Sequence, residues 1–203
     1  MSLLIPRIFH RFWAGPEMPA QHREWIAECQ RLHPAWIDFV WDEVLLPSRL
    51  QHVWSRANVV QRSDIAGYWL VYRNGGVYCD TDYQWYQSIE PWLVGCEAFF
   101  AFANHRGDVT ASIFGGVAGH PAFKAILDAL PGRFRPDEQL STSSRLLAPI
   151  VKSRGDVRIY EHKTFLPLTY QQHKRGQQLT FDDIRHSVAR HRFAGSWLKS
   201  GEG

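Results

Sequence analysis

The feature that most constrains this chain lies between residues 59 and 82, where a helical pattern stops on two glycines and a short apolar run ends in two aspartates. From about Val59 to Arg73, Ile65, Trp69, Leu70 and Tyr72 fall near helical spacing and give a core-facing stripe. Asn74-Gly75-Gly76 stops the helix, because glycine takes the backbone angles of a helix C-terminus without a Cβ clash. Val77-Tyr78-Cys79 then reads as a short buried strand running straight into Asp80-Thr81-Asp82. In open α/β sheets, ligands gather beyond the carboxyl ends of strands. Asp80 sits at such an end.

The rest of the chain continues the alternation. A buried strand is predicted over Ile5–Trp13, ended by Gly15-Pro16, and a helix over 19–32 with Trp25, Ile26, Cys29 and Leu32 near helical spacing. A second short strand is predicted over Trp36–Trp41 and a short helical piece around 48–57. Further strands are expected at 97–103 and 111–118, helices at 121–130 and 138–152, and a late strand at 187–193. Strands alternating with helices predict an α/β fold with helices on both faces of the sheet. No repeat, low-complexity run or Gly/Ser/Pro-rich linker divides the 203 residues, so one domain is expected.

Composition narrows the partners. The net charge of +3 is unevenly spread: residues 1–130 hold 10 Lys/Arg against 13 Asp/Glu, and residues 131–203 hold 13 against 7. A basic C-terminal third suits a phosphate-bearing ligand, an anionic surface or simply a solvated face. The charge is too small for duplex nucleic acid and no basic recognition motif is present, which speaks against a nucleic-acid partner. Cys29, Cys79 and Cys96 are odd in number and lack metal-ligand spacing, so a reducing, cytoplasmic setting is expected. Neither a signal peptide nor an 18-residue apolar span is found; a soluble protein is expected, with a peripheral seat on a membrane still open. Nine tryptophans are unusual, and most are expected in the core.

Asp80 and Asp82, at i and i+2, would point to the same side of an extended segment and converge on one cation, or on a cation and a ribose. Such hard oxygen ligands favour Mg2+ or Mn2+. The tripeptide alone is a weak signal, equally a polar exit from a strand. Its context is stronger. The run SDIAGYWLVYRNGGVYCDTD over residues 63–82 resembles glycosyltransferase family 32, the DxD sugar transferases that include fungal mannosyltransferases, and more distantly the glucosylating domains of large bacterial toxins. The opening segment Ile5 to Gly15 resembles the family's IPKIIHQxWxG strand, and His191-Arg192-Phe193-Ala194-Gly195-Ser196-Trp197 resembles its closing H-x-(W/F)-x-G-S-W segment.

The resemblance implies a GT-A-type, Rossmann-like mixed sheet over 1–203, with 187–203 as a flap over the donor site. It implies a metal-dependent, retaining transfer of a hexose from a UDP- or GDP-sugar to a hydroxyl acceptor, such as a glycan in polysaccharide biosynthesis. By the same resemblance Trp13 stacks on the nucleobase and Asp64 bonds donor-sugar hydroxyls. Asp82 is the direct metal ligand and Asp80 reaches the ribose or a metal-bound water. His191 supplies the remaining contact to metal or diphosphate, and Ser196 and Trp197 cover the diphosphate. Asp64, Asp80 and Asp82 are thus the catalytic set, and Asp80, Asp82 and His191 the metal set.

Two departures from the family pattern stand out. The arginine usual three positions after the helix aspartate is Gly67 here, with Arg62 and Arg73 as candidate substitutes. The later Thr-Gly-Pro survives only as Thr142-Ser143-Ser144, which leaves the acceptor side unassigned. Two alternatives remain. One is a transferase fold that binds nucleotide-sugar or glycan without turnover. The other is a haloacid-dehalogenase-like phosphatase using Asp80 and Asp82, with Asp182-Asp183 as its late acidic pair.

Overall fold

The computed structural model describes residues 2–195. Its strands are β1 (Ile8–Phe12), β2 (Ile37–Trp41), β3 (Gly76–Cys79), β4 (Tyr83–Trp85), β5 (Ala98–Ala101), β6 (Ile113–Gly116), β7 (Arg158–Tyr160) and β8 (Ala189–His191). The helices are α1 (Ala20–Leu32), α2 (Ser48–Arg56), α3 (Val59–Asn74), α4 (Glu90–Leu93), α5 (Pro121–Arg133), α6 (Ser144–Val151), α7 (His162–Phe165), α8 (Tyr170–Lys174) and α9 (Phe181–His186). Six strands form one sheet in the order β2-β1-β3-β6-β5-β7, and β4 pairs with β8 in a separate ribbon. β1 is parallel to β2 and β3, and β5 to β7, while β6 runs antiparallel to both its neighbours. The sheet is therefore mixed, as expected.

Alternation along the strands divides the interior in two. Phe12, Tyr78, Phe100 and Phe114 face a core closed by α2, α3, α5 and α6. Phe9, Val77, Cys79, Phe99 and Ile113 face the other core, closed by α1, the β4–β8 ribbon and α7. Both faces of the sheet are covered, so its central strands read as nearly continuous apolar runs.

α3 carries the central unit. Asn58 and Gln61 form a reciprocal capping box at its start. Gly75 and Gly76 end it with φ of 69° and 104°, angles that L side chains rarely adopt. A Cβ on Gly76 would meet the Ile8 carbonyl at 2.6 Å, so the turn into β3 also needs glycine for space. The predicted stripe is only part of the buried surface. Ile65 and Leu70 are buried, Trp69 and Tyr72 half-buried, and Ala66, Gly67, Tyr68 and Val71 are buried as well. The helix lies between the sheet and α5, so it buries more than one stripe.

Elsewhere the predicted elements are present and mostly shorter, although α5 runs three residues beyond the predicted 121–130. The strand predicted over Ile5–Trp13 occupies five residues, and the helix predicted over 138–152 is a 3-10 turn at Gln139–Ser141 followed by α6. β4, β7 and the helices α4, α7, α8 and α9 carried no signal, being three to six residues each. The tryptophans are less buried than expected. Trp25, Trp36 and Trp85 are in the core, whereas Trp13, Trp41, Trp54, Trp69 and Trp92 are half-buried. Large amphipathic rings line the rims of the two cores rather than fill them. All three cysteines are buried and free. Among the described residues no helix is long and apolar enough to cross a membrane.

Candidate active site

β3 delivers Asp80 to the carboxyl end of the sheet, where its N–H donates to Ser112 O at 2.9 Å. The backbone then turns at Thr81-Asp82 instead of staying extended, so the carboxylates converge through a turn and not through strand alternation. β8 pairs antiparallel with β4 and sets His191 opposite Tyr83, with the two rings stacked 5.0 Å apart. His191 Nε2 then lies 3.0 Å from Asp82 Oδ1 and 3.5 Å from Asp80 Oδ2. The Ala194 N–H donates to Asp82 Oδ2 at 2.8 Å, locking the carboxylate orientation.

Burial would raise the Asp82 pKa, but the His191 charge and hydrogen bond and the Ala194 N–H outweigh it and hold Asp82 at about 2. Asp80 goes the other way: its burial dominates and raises its pKa despite the hydrogen bond to His191. Burial disfavours the charged imidazole of His191, yet Asp82 and Asp80 raise it to about 10. Without metal, a cation on His191 balances the corner.

One ligand atom from each of Asp80, Asp82 and His191 can be chosen so that all three lie within 4.8 Å of one another. Two carboxylate oxygens and one imidazole suit a hard or borderline divalent ion, and three protein ligands leave positions open for phosphate oxygens or water. The donor set fits Mn2+ or Mg2+. Its weak point is His191 Nδ1, which is buried without a hydrogen-bond partner among the described residues, where metal-binding histidines usually have one.

Asp64 lies behind this corner on α3, 7 % exposed. Thr142 Oγ1 donates to its Oδ2 at 2.7 Å, and Tyr68 Oη donates to the Thr142 carbonyl at 2.8 Å. Burial raises the Asp64 pKa well above the usual carboxylate value, and the Asp80 charge adds to it against the Thr142 hydrogen bond. Asp64 and Asp80 thus have raised pKa values close to Asp82, whose pKa is lowered.

Gly67 has a local explanation. A Cβ there would sit 2.7 Å from the Tyr78 ring and 2.8 Å from Phe114, so the space of a longer side chain is filled by Tyr78. Tyr78 Oη in turn donates to Asp80 Oδ1 at 3.1 Å. Arg62 does not substitute for the absent arginine: its Nε donates to the Trp54 carbonyl and its guanidinium lies over the Trp54 ring. Arg73 lies in the last turn of α3, nine residues and about 14 Å along the axis from Asp64.

Trp13 leaves the end of β1 half-buried, with its Nε1 donating to Pro16 O and its ring edge-on to His22 at 5.3 Å. His22 Nδ1 is 2.9 Å from Thr81 Oγ1, which links the Trp13 ring to the aspartate turn. A cavity of about 490 Å3 opens nearby between Phe12, Ala14, Glu43, Trp54 and Arg62. Phe12 points to the α2 side and Trp13 to the α1 side, so the Trp13 ring and this cavity do not coincide. Ser196 and Trp197 lie outside the described residues. Asp182 and Asp183 sit in the first turn of α9, bonded to Arg185 and to Thr180, and take no part in the aspartate corner.

Similarity to known proteins agrees with this geometry. Residues 19–98 match the family described as "Glycosyltransferase sugar-binding region containing DXD motif", which covers α3, β3 and both aspartates. The chain is 26% identical over 141 residues to inositol phosphoceramide mannosyltransferase 3 of Schizosaccharomyces pombe, covering 64% of this chain and 38% of the relative. It is 27% identical over 135 residues to a mannosyl phosphorylinositol ceramide synthase of Saccharomyces cerevisiae, covering 63% and 35%. The chain thus spans little more than a third of these relatives' length. In sequence it is similar to the DxD-type glycosyltransferases of family 32. Among solved structures, the PaToxG glycosyltransferase superposes with a TM-score of 0.59 at 11% identity, over 73% of this chain and 69% of that one. A glycosyltransferase involved in glycosylation of the PBCV-1 major capsid gives 0.52 at 11% identity, over 96% and 97%. At that identity both show the fold alone.

Four further residues of the aspartate corner were given no role from the sequence, although Thr142 stood out as the remnant of the family's Thr-Gly-Pro. Arg11 bonds the Asp80 carbonyl at 3.1 Å, His22 holds Thr81, Tyr78 braces Asp80 and Thr142 holds Asp64. Arg11, His22 and Thr142 each act on a residue distant in sequence, which spacing does not reveal. Tyr78 is two residues from Asp80, yet a buried strand tyrosine reads as core.

Proposed function

We propose that this glycosyltransferase moves a hexose from a nucleotide-diphosphate sugar to an acceptor hydroxyl with retention of configuration. The supporting observation is the convergence of Asp80, Asp82 and His191 at the end of β3, with Asp64 buried behind Asp80. Asp80, Asp82 and His191 would hold Mn2+ or Mg2+. When bound, the cation would neutralise charge gathering on the departing nucleoside diphosphate.

The protein's own groups supply the rest. Ala194 N–H and Tyr78 Oη fix the two carboxylates before any ligand arrives, so little reorganisation is needed on binding. Thr142 occupies Asp64 Oδ2 and leaves Oδ1 without a protein hydrogen bond among the described residues, available to a sugar hydroxyl. With its pKa raised, Asp64 can present a carboxyl proton or accept one, and so bond either sense of a hydroxyl. Trp13 offers an indole face at the α1 side for the base, worth about 1–3 kcal/mol per stacked base. Ser196 and Trp197 would close over the diphosphate and exclude water, which limits hydrolysis of the donor. Retention follows from the family resemblance and has the acceptor hydroxyl approach the face the diphosphate leaves.

The named relatives are mannosyltransferases, so mannose donors head the test. A thermal-shift screen of UDP- and GDP-sugars with and without Mn2+ should single out one donor, since a ligand stabilises by RT ln(1 + [L]/Kd). That donor should then be hydrolysed slowly by the wild type and not by Asp82→Asn. Metal-dependent donor binding with no turnover on any acceptor would indicate the non-catalytic binding protein instead, and an unaffected Asp82→Asn enzyme would overturn the proposal.

A further inference from the structure

The two faces of the β4–β8 ribbon carry opposite chemistry. His191 and Tyr83 turn inward toward the aspartates, so strand alternation sends Arg190 and Arg192 to the other face, over Gln84. There Arg192 Nη1 donates to Gln84 Oε1 at 3.3 Å, and its guanidinium lies 5.7 Å from the Trp25 ring of α1. Arg190 lies against Tyr86, and its Nε is buried with no hydrogen-bond partner. His173 of α8 stands beside both: after burial, the charges of Arg190 and Arg192 lower its pKa most. Burial and then the Arg190 charge lower that of Arg192 too, against the opposing influence of Tyr86 and Asp82.

Among the described residues neither arginine is within ion-pairing distance of a carboxylate, whereas Arg7, Arg11, Arg145 and Arg154 all are. Glu28 is the acidic group whose charge reaches Tyr86, but its Oε2 is itself buried and without a partner. Two guanidiniums on one face with no carboxylate in ion-pairing distance among the described residues, Asp82 acting on Arg192 only from farther off, are unfavourable unless an anion completes them. The planar fork of arginine matches the oxygens of a phosphoryl group, and the Trp25 face orients one fork. This pair also lies within the basic C-terminal third of the chain.

We propose that Arg190 and Arg192, with His173 and Tyr86 beside them, form an anion subsite that takes a phosphoryl group. The group is either the diphosphate of the donor or a phosphate carried by the acceptor. Assigning it to donor or acceptor rests on the transferase reaction; the affinity for phosphate does not.

The test uses inorganic phosphate on the metal-free full chain at constant ionic strength, followed by thermal shift and calorimetry. Wild type should bind phosphate, and R190Q/R192Q should bind it at least about tenfold more weakly, the loss expected for removing charged hydrogen bonds. R190K/R192K, which keeps the charge and loses the fork, should fall between them; R192Q alone, which leaves the buried Arg190 Nε in place, serves if the double variant fails to fold. UDP and GDP titrated with Mn2+ then separate the sources: a comparable loss in the double variant assigns the subsite to the donor, and unchanged affinity assigns it to the acceptor. Equal phosphate binding by wild type and both Gln variants, or no binding by wild type, would overturn the proposal. Phosphate lost in R190Q/R192Q alongside a wild type that hydrolyses no donor would keep this subsite and sink the transferase assignment.

Discussion

Two charged clusters meet at Asp80, and they are built in opposite ways. Arg11 and Asp38 pair with side chains 0% and 1% exposed, and every branch of the guanidinium is used: Nε and Nη2 on Asp38, Nη1 on the Asp80 carbonyl. His191, Asp82 and Asp80 pair with side chains 13%, 11% and 32% exposed and with carboxylate capacity left over. The first cluster is closed and holds backbone; the second is open to solvent, as a site that exchanges a cation would have to be. Spare hydrogen-bonding capacity next to solvent, rather than charge or burial by itself, separates a binding corner from a structural one.

The largest effect expected from breaking this contrast is on stability. Asp38→Ala leaves the Arg11 guanidinium buried and uncompensated and should cost about 3–5 kcal/mol, read by urea unfolding. Asp82→Asn should cost far less, about 1–2 kcal/mol, since the amide oxygen can still accept from Ala194. Its effect falls on chemistry instead, with metal-dependent donor turnover reduced at least about 100-fold. If the two variants lose stability equally, the distinction between closed and open clusters fails.

Smaller effects sharpen it. Gly67→Ala forces a Cβ into the Tyr78 ring and should destabilise by about 1–3 kcal/mol. Tyr78→Phe keeps the packing and removes only the hydrogen bond to Asp80, so Mn2+ affinity should drop about tenfold with melting little changed. A variant that melts early and binds metal normally would make Tyr78 a core residue only.

The mildest expectation concerns pH. His191 holds its proton more tightly folded, to about 10, than at its ordinary value of 6.5, so its contribution to metal-free stability is full below 6.5 and lost as pH rises through 10. Asp82, lowered to about 2 from 3.8, contributes above 3.8 and loses that contribution as pH falls through 2. The metal-free melting temperature should therefore decline between pH 7 and 10, and the decline should be absent from His191→Gln. Mn2+ must displace the His191 proton, so its apparent affinity should rise across the same range with release of about one proton.

The sheet, its helices on both faces and the aspartate corner were legible because each rests on local pattern. The Gly75-Gly76 stop, the apolar run Val77-Tyr78-Cys79 and Asp80-Thr81-Asp82 are contiguous, and their backbone needs are met within the segment. The short elements β4, β7 and α7 to α9 were not legible, since three to six residues hold too little periodicity and take their shape from what they pack against. The route by which Asp80 and Asp82 converge was also misjudged. Extended geometry was expected, but Thr81 is turned by contacts with α1 through His22.

By itself, the amino-acid order determined where α3 must stop, which faces are apolar and which residue types stand at the end of β3. It did so because helix stops, strand alternation and glycine requirements are properties of neighbouring residues. Only the tertiary structure decided that Tyr78 fills the space beside Gly67, that Thr142 holds Asp64 and that Arg190 and Arg192 share one face with no carboxylate in ion-pairing distance among the described residues. Those outcomes depend on distances between residues far apart in the chain, or on which face a side chain takes, and burial and Coulomb energies follow from such distances rather than from position in sequence.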